Sequence, residues 1–276
     1  MNPSFLSRLS HTIFGAWNAG AFLVLSVSAW YLLRRQHQEF AWLSLRFGLG
    51  FAALSIAASI ITGDASAREV ANDQPTKLAA MEGVFPANQP EGLHLFGWVD
   101  MSAGKVYGVE IPHLLSLLTY HSLDAPVKGL ESFPQKDWPP VQATFQCFHL
   151  MVGIGFALAG LVMAALFFWW RGTLLDQQWL LWLMVPSVLG PELAGEFGWM
   201  TNELGRQPWL VYRLLRTSEG VSHLAHPRDV WISIVLFALV YALLLALFLF
   251  LLNDKIQRGP VDLPLAPVEA GRRASA

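Results

Sequence analysis

The sequence predicts an all-α integral membrane protein, a helical bundle of about five transmembrane helices with one long external loop. Hydrophobic residues make up 54% of the 276-residue chain, charged residues make up 14%, and the mean hydropathy is +0.42. This composition leaves too little polar surface for a soluble globule of this size. The net charge of -2 gives no basic excess, so no nucleic-acid partner is expected. The single cysteine excludes an internal disulfide framework.

Five stretches without Lys, Arg, Asp or Glu predict the spanning helices, at residues 9–33, 47–63, 139–170, 177–191 and 230–253. Each covers the roughly 20 residues that a span needs, provided that the second begins just before Arg46 and the fourth continues through Glu192 and Glu196. Arg34 and Arg35 follow the first stretch directly, whereas one arginine precedes it. The positive-inside rule therefore predicts an external amino terminus.

These spans divide the chain into four predicted parts. Residues 1–63 hold the first two helices, 64–142 form an external loop, 143–258 hold helices three to five, and 259–276 form a disordered cytoplasmic tail. Loops as long as the second part are usually functional or disordered. Apolar stretches at 93–97 and 111–120 favour a folded cap.

A histidine and a methionine are predicted to lie at similar depth in the bundle. His11 lies in the first turns of helix one and Met151 about two turns into helix three, and both helices start on the external side. A His–Met pair of this kind can hold a low-spin haem iron. The alternative is an interfacial histidine and a methionine that fills the core, which is the commoner situation on spacing alone.

Carboxylates line one face of the fourth helix. Glu192, Glu196, Trp199 and Glu203 follow one another at offsets of four, three and four residues, which places them on one stripe that leads into a Gly-Arg-Gln-Pro-Trp segment at 205–209. Carboxylates within a span generally face a bundle interior and mark proton paths or ligand sites. The alternative is that the last turn has reached water, which would make Glu203 an ordinary interface residue.

Residues 74–83 of the loop predict a short helix that Pro75 opens and Gly83 stops. The helix carries Lys77 and Glu82, which are five residues apart and do not share a face. Taken alone, both would be read as solvated surface charges. No nucleotide-binding or hydrolase motif occurs in the sequence.

Several ordered motifs carry a family signal over about residues 2–260. They are His-Thr at 11–12, Gly-Asp at 63–64, Gln-Pro-Thr-Lys-Leu-Ala-Ala-Met-Glu at 74–82, Leu-Phe-Gly at 95–97, Asp-Ala-Pro-Val at 124–127, Met-Val at 151–152, Glu-Phe-Gly-Trp at 196–199 and Glu-Leu-Gly-Arg-Gln-Pro-Trp at 203–209. Together these motifs resemble subunit I of the cytochrome bd quinol oxidases, which reside in the bacterial plasma membrane and serve aerobic respiration.

The resemblance implies that His11 and Met151 ligate a low-spin b haem, and that Lys77 and Glu82 belong to the loop where quinol is oxidised. It implies that Glu203 serves as an axial ligand of the high-spin b haem. The residues that it implies for the surrounding haem pocket are Glu196, Trp199, Arg206 and Trp209. The implied reaction is the oxidation of quinol coupled to the reduction of dioxygen.

The chain departs from the family pattern in two ways. The family's subunit I has about nine helices, and the four that precede the helix of His11 are absent here. High-spin haem b and haem d are therefore expected only with an amino-terminal four-helix half and a second oxidase subunit, besides lipid and quinol. His149 stands where some members carry an arginine. The alternative function is a non-catalytic paralogue that acts as an assembly or structural partner.

Overall fold

The helices and strands are given by a computed structural model that describes residues 4–221 and 226–260. In chain order the helices are α1 (Phe5–Arg34), α2 (Gln38–Asp73), α3 (Pro75–Glu82), α4 (Leu114–Tyr120), α5 (Val141–Trp170), α6 (Gln178–Met184), α7 (Leu189–Gly205) and α8 (Pro227–Arg258). The strands are β1 (Ala87–Gln89), β2 (Leu93–Asp100), β3 (Lys105–Ile111), β4 (Val127–Lys128), β5 (Trp209–Val211) and β6 (Leu215–Arg216). Apart from Gly259 and Pro260, the predicted disordered tail lies outside the described residues.

Four of the described helices, α1, α2, α5 and α8, are long and apolar enough to cross a membrane. The fourth predicted span is a pair of helices, α6 and α7, joined by a 3-10 turn at Pro186–Val188. Proline has no N–H to donate and its ring clashes with the carbonyl of the residue four positions earlier, so an α-helix does not continue through Pro186 unbroken. The backbone stays right-handed helical at Val185 and Leu189. The described chain thus has four continuous spans and one interrupted helical pass, and the membrane-bundle fold is confirmed.

Helix α2 is longer than the sequence suggested, because it runs ten residues beyond Gly63 to Asp73. Its 36 residues extend over about 54 Å, well beyond the roughly 30 Å hydrocarbon core of a bilayer. An ion pair of 2.7 Å joins Arg68 to Asp64 one turn earlier on the same helix. The predicted boundary between membrane helices and loop therefore falls inside a helix.

Two apolar cores hold the described bundle together. The first lies among α1, α2, α5 and α6, where small residues allow close helix contact: a Cβ on Gly48 would lie 3.2 Å from Leu25. The second lies beneath the loop and joins it to α5; its largest members are Leu78, Phe85, Leu130 and Phe145. Because this second core is continuous, residues 74–145 form a folded cap.

The cap and α8 differ sharply in how they join the bundle. Strands β2 and β3 form an antiparallel hairpin, with an irregularity between His94 and Phe96, that packs on α5. Helix α8 has no buried residue in its most apolar stretch. Near its carboxyl end the Ile256 carbonyl accepts a 2.6 Å hydrogen bond from the Tyr31 hydroxyl.

Candidate functional site

The cap helix α3 packs against the end of α7 through polar contacts on one of its faces. The Lys77 ammonium donates a 2.7 Å hydrogen bond to Asn202 Oδ1, and the hydroxyls of Thr76 and Tyr212 are 3.0 Å apart. Gly205 permits this approach, because a Cβ there would lie 2.9 Å from Lys77 Cγ. The short helix predicted at residues 74–83 is thus positioned by the residues that flank Glu203.

Lys77 is an enclosed cation, with 5% of its surface exposed. The pKa of Lys77 is lowered to about 8, chiefly by burial; the nearby Arg8 and Arg206 guanidiniums also lower it, and Glu203 opposes them. A lysine in this state can hold or release a proton close to physiological pH. The sequence-based view of Lys77 as a solvated surface charge is therefore wrong.

Glu82 lies at the opposite end of α3 and is 4% exposed. Its Oε2 has no hydrogen-bond partner among the described residues, and burial raises the pKa of Glu82 to about 8. The next residue, Gly83, ends the helix with φ +70°, and a Cβ there would meet the side chains of Val106 and Phe145. A buried carboxyl without a partner, closed in by a hairpin, is a candidate functional group.

Glu203 is placed at the junction of α7 with the Gly-Arg-Gln-Pro-Trp segment. Arg206 donates to Glu203 Oε2 from Nη2 at 2.7 Å and from Nε at 2.9 Å, and both side chains remain about one-third exposed. The Arg206 Nη1 also reaches the Trp209 carbonyl at 3.3 Å. The Trp209 ring in turn lies under the Arg216 guanidinium, 4.6 Å from the ring centroid. The structure thus brings Glu203, Arg206 and Trp209 into one cluster.

The other three side chains of the predicted α7 stripe, those of Glu192, Glu196 and Trp199, are exposed. Glu192 and Glu196 are exposed, and neither makes an ion pair or hydrogen bond with any described residue. Trp199 on the same helix is 63% exposed. Uncompensated carboxylates in an apolar helix need a partner of some kind, because water is absent at bilayer depth.

His11 is oriented by α2. Its Nδ1–H donates to the Ser59 carbonyl at 3.1 Å, and the Thr62 hydroxyl lies 3.2 Å from the same nitrogen. A Cβ on Gly63 would lie 3.2 Å from His11 Cε1, so glycine makes room for the ring. Because Nδ1 carries the proton, Nε2 keeps a free lone pair, which is the usual arrangement of a histidine that ligates a metal.

Met151 is held by α7. A Cβ on Gly198 would lie only 2.8 Å from the Met151 sulfur, so the absence of a side chain at residue 198 creates the space that the thioether occupies. A backbone carbonyl that fixes the imidazole and a glycine that admits the sulfur fit a His–Met axial pair for a b haem. No described contact joins His11 to Met151, and their pairing across one haem stays a prediction.

Sequence reasoning missed the residues that orient these groups, namely Asn202, Tyr212, Ser59, Thr62 and Gly198. Only Gly198 carried a signal, since it stands inside the Glu-Phe-Gly-Trp motif. The others act across helix interfaces, and a single sequence does not specify how helices rotate against one another. Within the described residues no group of three or more His, Cys, Asp or Glu side chains is arranged to hold a metal ion.

The fold and the site define a multi-span membrane protein whose folded cap buries a lysine beside a helix that carries carboxylates, and a glutamate beneath a hairpin. The chain belongs to the cytochrome bd terminal oxidase subunit I family, whose sequence profile matches residues 1–260. The family resemblance drawn from the motifs is therefore confirmed. The family and the spanning helices also confirm the predicted location in the bacterial inner membrane.

Three bacterial relatives show how far the similarity extends. A candidate cytochrome bd menaquinol oxidase subunit I of Bacillus subtilis is 34% identical over 286 residues, which is 98% of this chain and 61% of the relative. The cytochrome bd-II ubiquinol oxidase subunit 1 of Escherichia coli is 28% identical over 94% of this chain and 63% of its own length. The solved bd oxidase of Geobacillus thermodenitrificans superposes with a TM-score of 0.81 at 30% identity, covering 94% of this chain and 59% of the solved chain. The chain thus spans about three fifths of the length of these relatives.

Proposed function

We propose that this chain is the quinol-oxidising, b-haem-binding part of a cytochrome bd-type quinol:oxygen oxidoreductase. One observation carries the proposal. Lys77 and Glu82 are both almost fully buried in a cap helix, and burial moves the pKa of each to about 8. Charged side chains without such a role normally stay in contact with water, because burial of a charge opposes folding. Oxidation of quinol requires groups of this kind, because each hydroxyl of the quinol gives up a proton as the ring gives up electrons.

Glu82 is the proton acceptor in this proposal. In its ionised form the carboxylate takes the proton from one quinol hydroxyl, and its raised pKa makes it a stronger base than an ordinary carboxylate. The orphaned Oε2 is available for this hydrogen bond. The proton from the second hydroxyl leaves to the external solution.

Lys77 is the orienting group. Its ammonium has three N–H donors, and one of them is bound to Asn202 Oδ1. Another is free to hold an oxygen of the quinol ring. Because Asn202 precedes Glu203, this contact also ties the quinol side of the protein to α7.

His11 and Met151 are the side chains that would hold the low-spin b haem. When bound, that haem supplies a one-electron acceptor for the quinol. The Ser59 carbonyl keeps the lone pair of the imidazole on Nε2, and Gly198 leaves room for the thioether. Glu203 would hold the iron of the high-spin b haem, and Glu196, Trp199, Arg206 and Trp209 would line the surrounding pocket.

We propose that the reduction of oxygen at a high-spin b haem and haem d requires polypeptide beyond residues 1–276. The exposed carboxylates of α7 and the exposed helix α8 support a larger assembly, in which an amino-terminal four-helix half and a second subunit complete the haem pocket. The coverage of about three fifths of each relative agrees with this proposal.

The test compares Glu82→Gln with Glu91→Gln, a half-buried carboxylate elsewhere in the cap. In membranes that contain the oxidase, Glu82→Gln should slow the reduction of the b haem by quinol while the reduction by dithionite keeps its full extent. Glu91→Gln should leave both signals unchanged. Equal rates for Glu82→Gln and the unmodified protein would remove Glu82 from the site. A chain that binds no b haem at all would favour the non-catalytic structural partner.

A further inference from the structure

The hairpin of β2 and β3 has two chemically different faces. On the inner face Val99 is 3% exposed, and Val106 lies against Gly83 at the end of α3. The strand register pairs Phe96 with Val109 and Trp98 with Tyr107, which places these four side chains together on the outer face. Their exposed fractions are 63%, 47%, 65% and 62%. These four side chains therefore form a continuous apolar and aromatic patch, and the next pair on the same face, toward the turn, is Asp100 with Lys105.

Hydrogen bonds fix the height of this hairpin along a spanning helix. Strand β2 is tied to the first turns of α5 by three of them: Val99 N–H to Gln142 Oε1 at 2.8 Å, Gln146 Nε2–H to the Gly97 carbonyl at 2.7 Å, and His149 Nε2–H to the His94 carbonyl at 2.8 Å. The hairpin consequently lies alongside the stretch of α5 between residues 142 and 149. That stretch rises about 10 Å along the helix axis.

The length of α5 places this stretch in the interfacial layer of a bilayer. Its 30 residues extend over about 45 Å, the thickness of a bilayer with its headgroups, whereas the hydrocarbon core measures roughly 30 Å. The first five or so residues of α5 therefore stand at headgroup level, and the base of the hairpin reaches the edge of the hydrocarbon. Trp and Tyr are enriched at this depth in membrane proteins, because their rings are apolar and their N–H or O–H groups bind water.

Charged side chains lie at both ends of the hairpin, and the patch of Phe96, Trp98, Tyr107 and Val109 lies between them. At the turn end stand Asp100, Ser102 and Lys105, and at the opposite end Glu110 lies 3.8 Å from the His94 imidazole. The patch thus lies beside a spanning helix at the depth where exposed Trp and Tyr side chains meet lipid headgroups. We propose that the outer face of the β2–β3 hairpin contacts phospholipid in the interfacial layer and anchors the cap to the bilayer.

The test measures what surrounds the outer face in the protein purified from its native membrane with its bound subunits. Val109→Cys and Lys105→Cys are each made in a Cys147→Ala background, spin-labelled, and reconstituted into nanodiscs of phosphatidylethanolamine and phosphatidylglycerol. Electron paramagnetic resonance then compares collisions of each label with oxygen, which concentrates in lipid, and with a water-soluble nickel chelate. Lys105 is the matched control, because it lies on the same hairpin at its polar turn.

The expected result is a label at residue 109 that oxygen reaches and the nickel chelate does not, with the reverse order at residue 105. Ready access of the nickel chelate to residue 109 would overturn the proposal, since the face would then lie in water. An immobilised label at residue 109 that neither reagent reaches would overturn it as well, because a protein subunit would then cover the face. If Val109→Cys does not assemble, Tyr107→Cys on the same face provides the same comparison.

Discussion

The cap helix α3 and helix α7 of the interrupted pass both carry ionisable side chains, but those of α3 are enclosed and those of α7 are largely exposed. On α3, Lys77 and Glu82 are about 5% exposed and are enclosed by residues of this same chain. On α7, Glu192 and Glu196 are exposed and have no described partner. Glu203 stands between the two, since it is paired with Arg206 but remains one-third exposed.

The comparison separates a site that this chain builds by itself from one that it only contributes to. Described residues of the cap, of α7 and of the neighbouring helices α1, α2 and α5 surround Lys77 and Glu82. No described residue covers Glu192 or Glu196 on the α7 stripe. A charge at the bilayer centre without a partner costs on the order of 3 kcal/mol or more. We therefore expect the quinol side to be self-contained and the stripe to depend on other helices and haem.

The largest expected effect concerns oxygen. Residues 1–276 expressed alone should show no quinol-driven oxygen uptake, because the α7 stripe would lack the groups that complete it. Co-expression with a polypeptide that supplies the rest of the relatives' subunit I, and with a second oxidase subunit, should restore uptake measured with an oxygen electrode. Glu203→Gln in the restored complex is the control, and it should abolish uptake again. Robust oxygen uptake by the lone chain would contradict the comparison.

The next effect is on the low-spin haem. Gly198→Ala adds a Cβ that would lie 2.8 Å from the Met151 sulfur, so the thioether is displaced from its place beside α7. The reduced-minus-oxidised spectrum of the low-spin b haem should then be lost or shifted toward a high-spin form, as it should be in Met151→Leu.

Gly195→Ala provides the matched control on the same helix, because nothing lies within 4 Å of a Cβ at that position. It should keep the unmodified spectrum. If Gly198→Ala and Met151→Leu both left the spectrum and the midpoint potential unchanged, Met151 would not be the ligand.

The enclosed charges on α3 should make stability depend on pH in two opposite senses. The pKa of Glu82 is raised from 4.5 to about 8, so its contribution to stability is fully present below about pH 4.5 and is lost as pH rises through 8. The pKa of Lys77 is lowered from 10.5 to about 8, so its contribution is present above 10.5 and is lost as pH falls through 8. Thermal unfolding in detergent should therefore show minimum stability near pH 8.

Glu82→Gln should remove the change below pH 8, which amounts to on the order of 5 kcal/mol, and Lys77→Met should remove the change above it. Glu131→Gln, an exposed carboxylate of the cap, should keep both limbs of the curve. A Glu82→Gln protein whose stability still falls from pH 4.5 to 8 as in the unmodified chain would show that Glu82 is not enclosed.

The smallest expected effect concerns the hydrogen bond between Lys77 and Asn202, which joins α3 to α7. Asn202→Leu removes the acceptor of the Lys77 ammonium, and a hydrogen bond to a charged group contributes about 1.5–3 kcal/mol to stability. Chemical denaturation should report a loss of that size, and Asn202→Asp should recover it because a carboxylate accepts the same bond. An Asn202→Leu protein as stable as the unmodified chain would mean that the contact does not hold α3 on α7.

Local features of the chain were readable from the sequence alone. Runs without charged residues gave the spans, and Pro75 with Gly83 gave the ends of α3. Proline favours the first helical turn, and glycine tolerates the positive φ that stops the helix. The ordered motifs gave the family, which the match over residues 1–260 confirms. The spacing on α7 gave the shared face of Glu192, Glu196 and Glu203. These features depend on residues close to one another in the chain.

The tertiary structure decided what surrounds those residues. It enclosed Lys77 and Glu82, which composition alone would place at the surface, and it left Glu192 and Glu196 open, which a helical wheel cannot distinguish from a buried stripe. It also directed His11 Nδ1 to the Ser59 carbonyl. The physical reason is that hydropathy and periodicity fix which side of an element is apolar, whereas the rotation and register of packed helices fix which atoms meet across their interface.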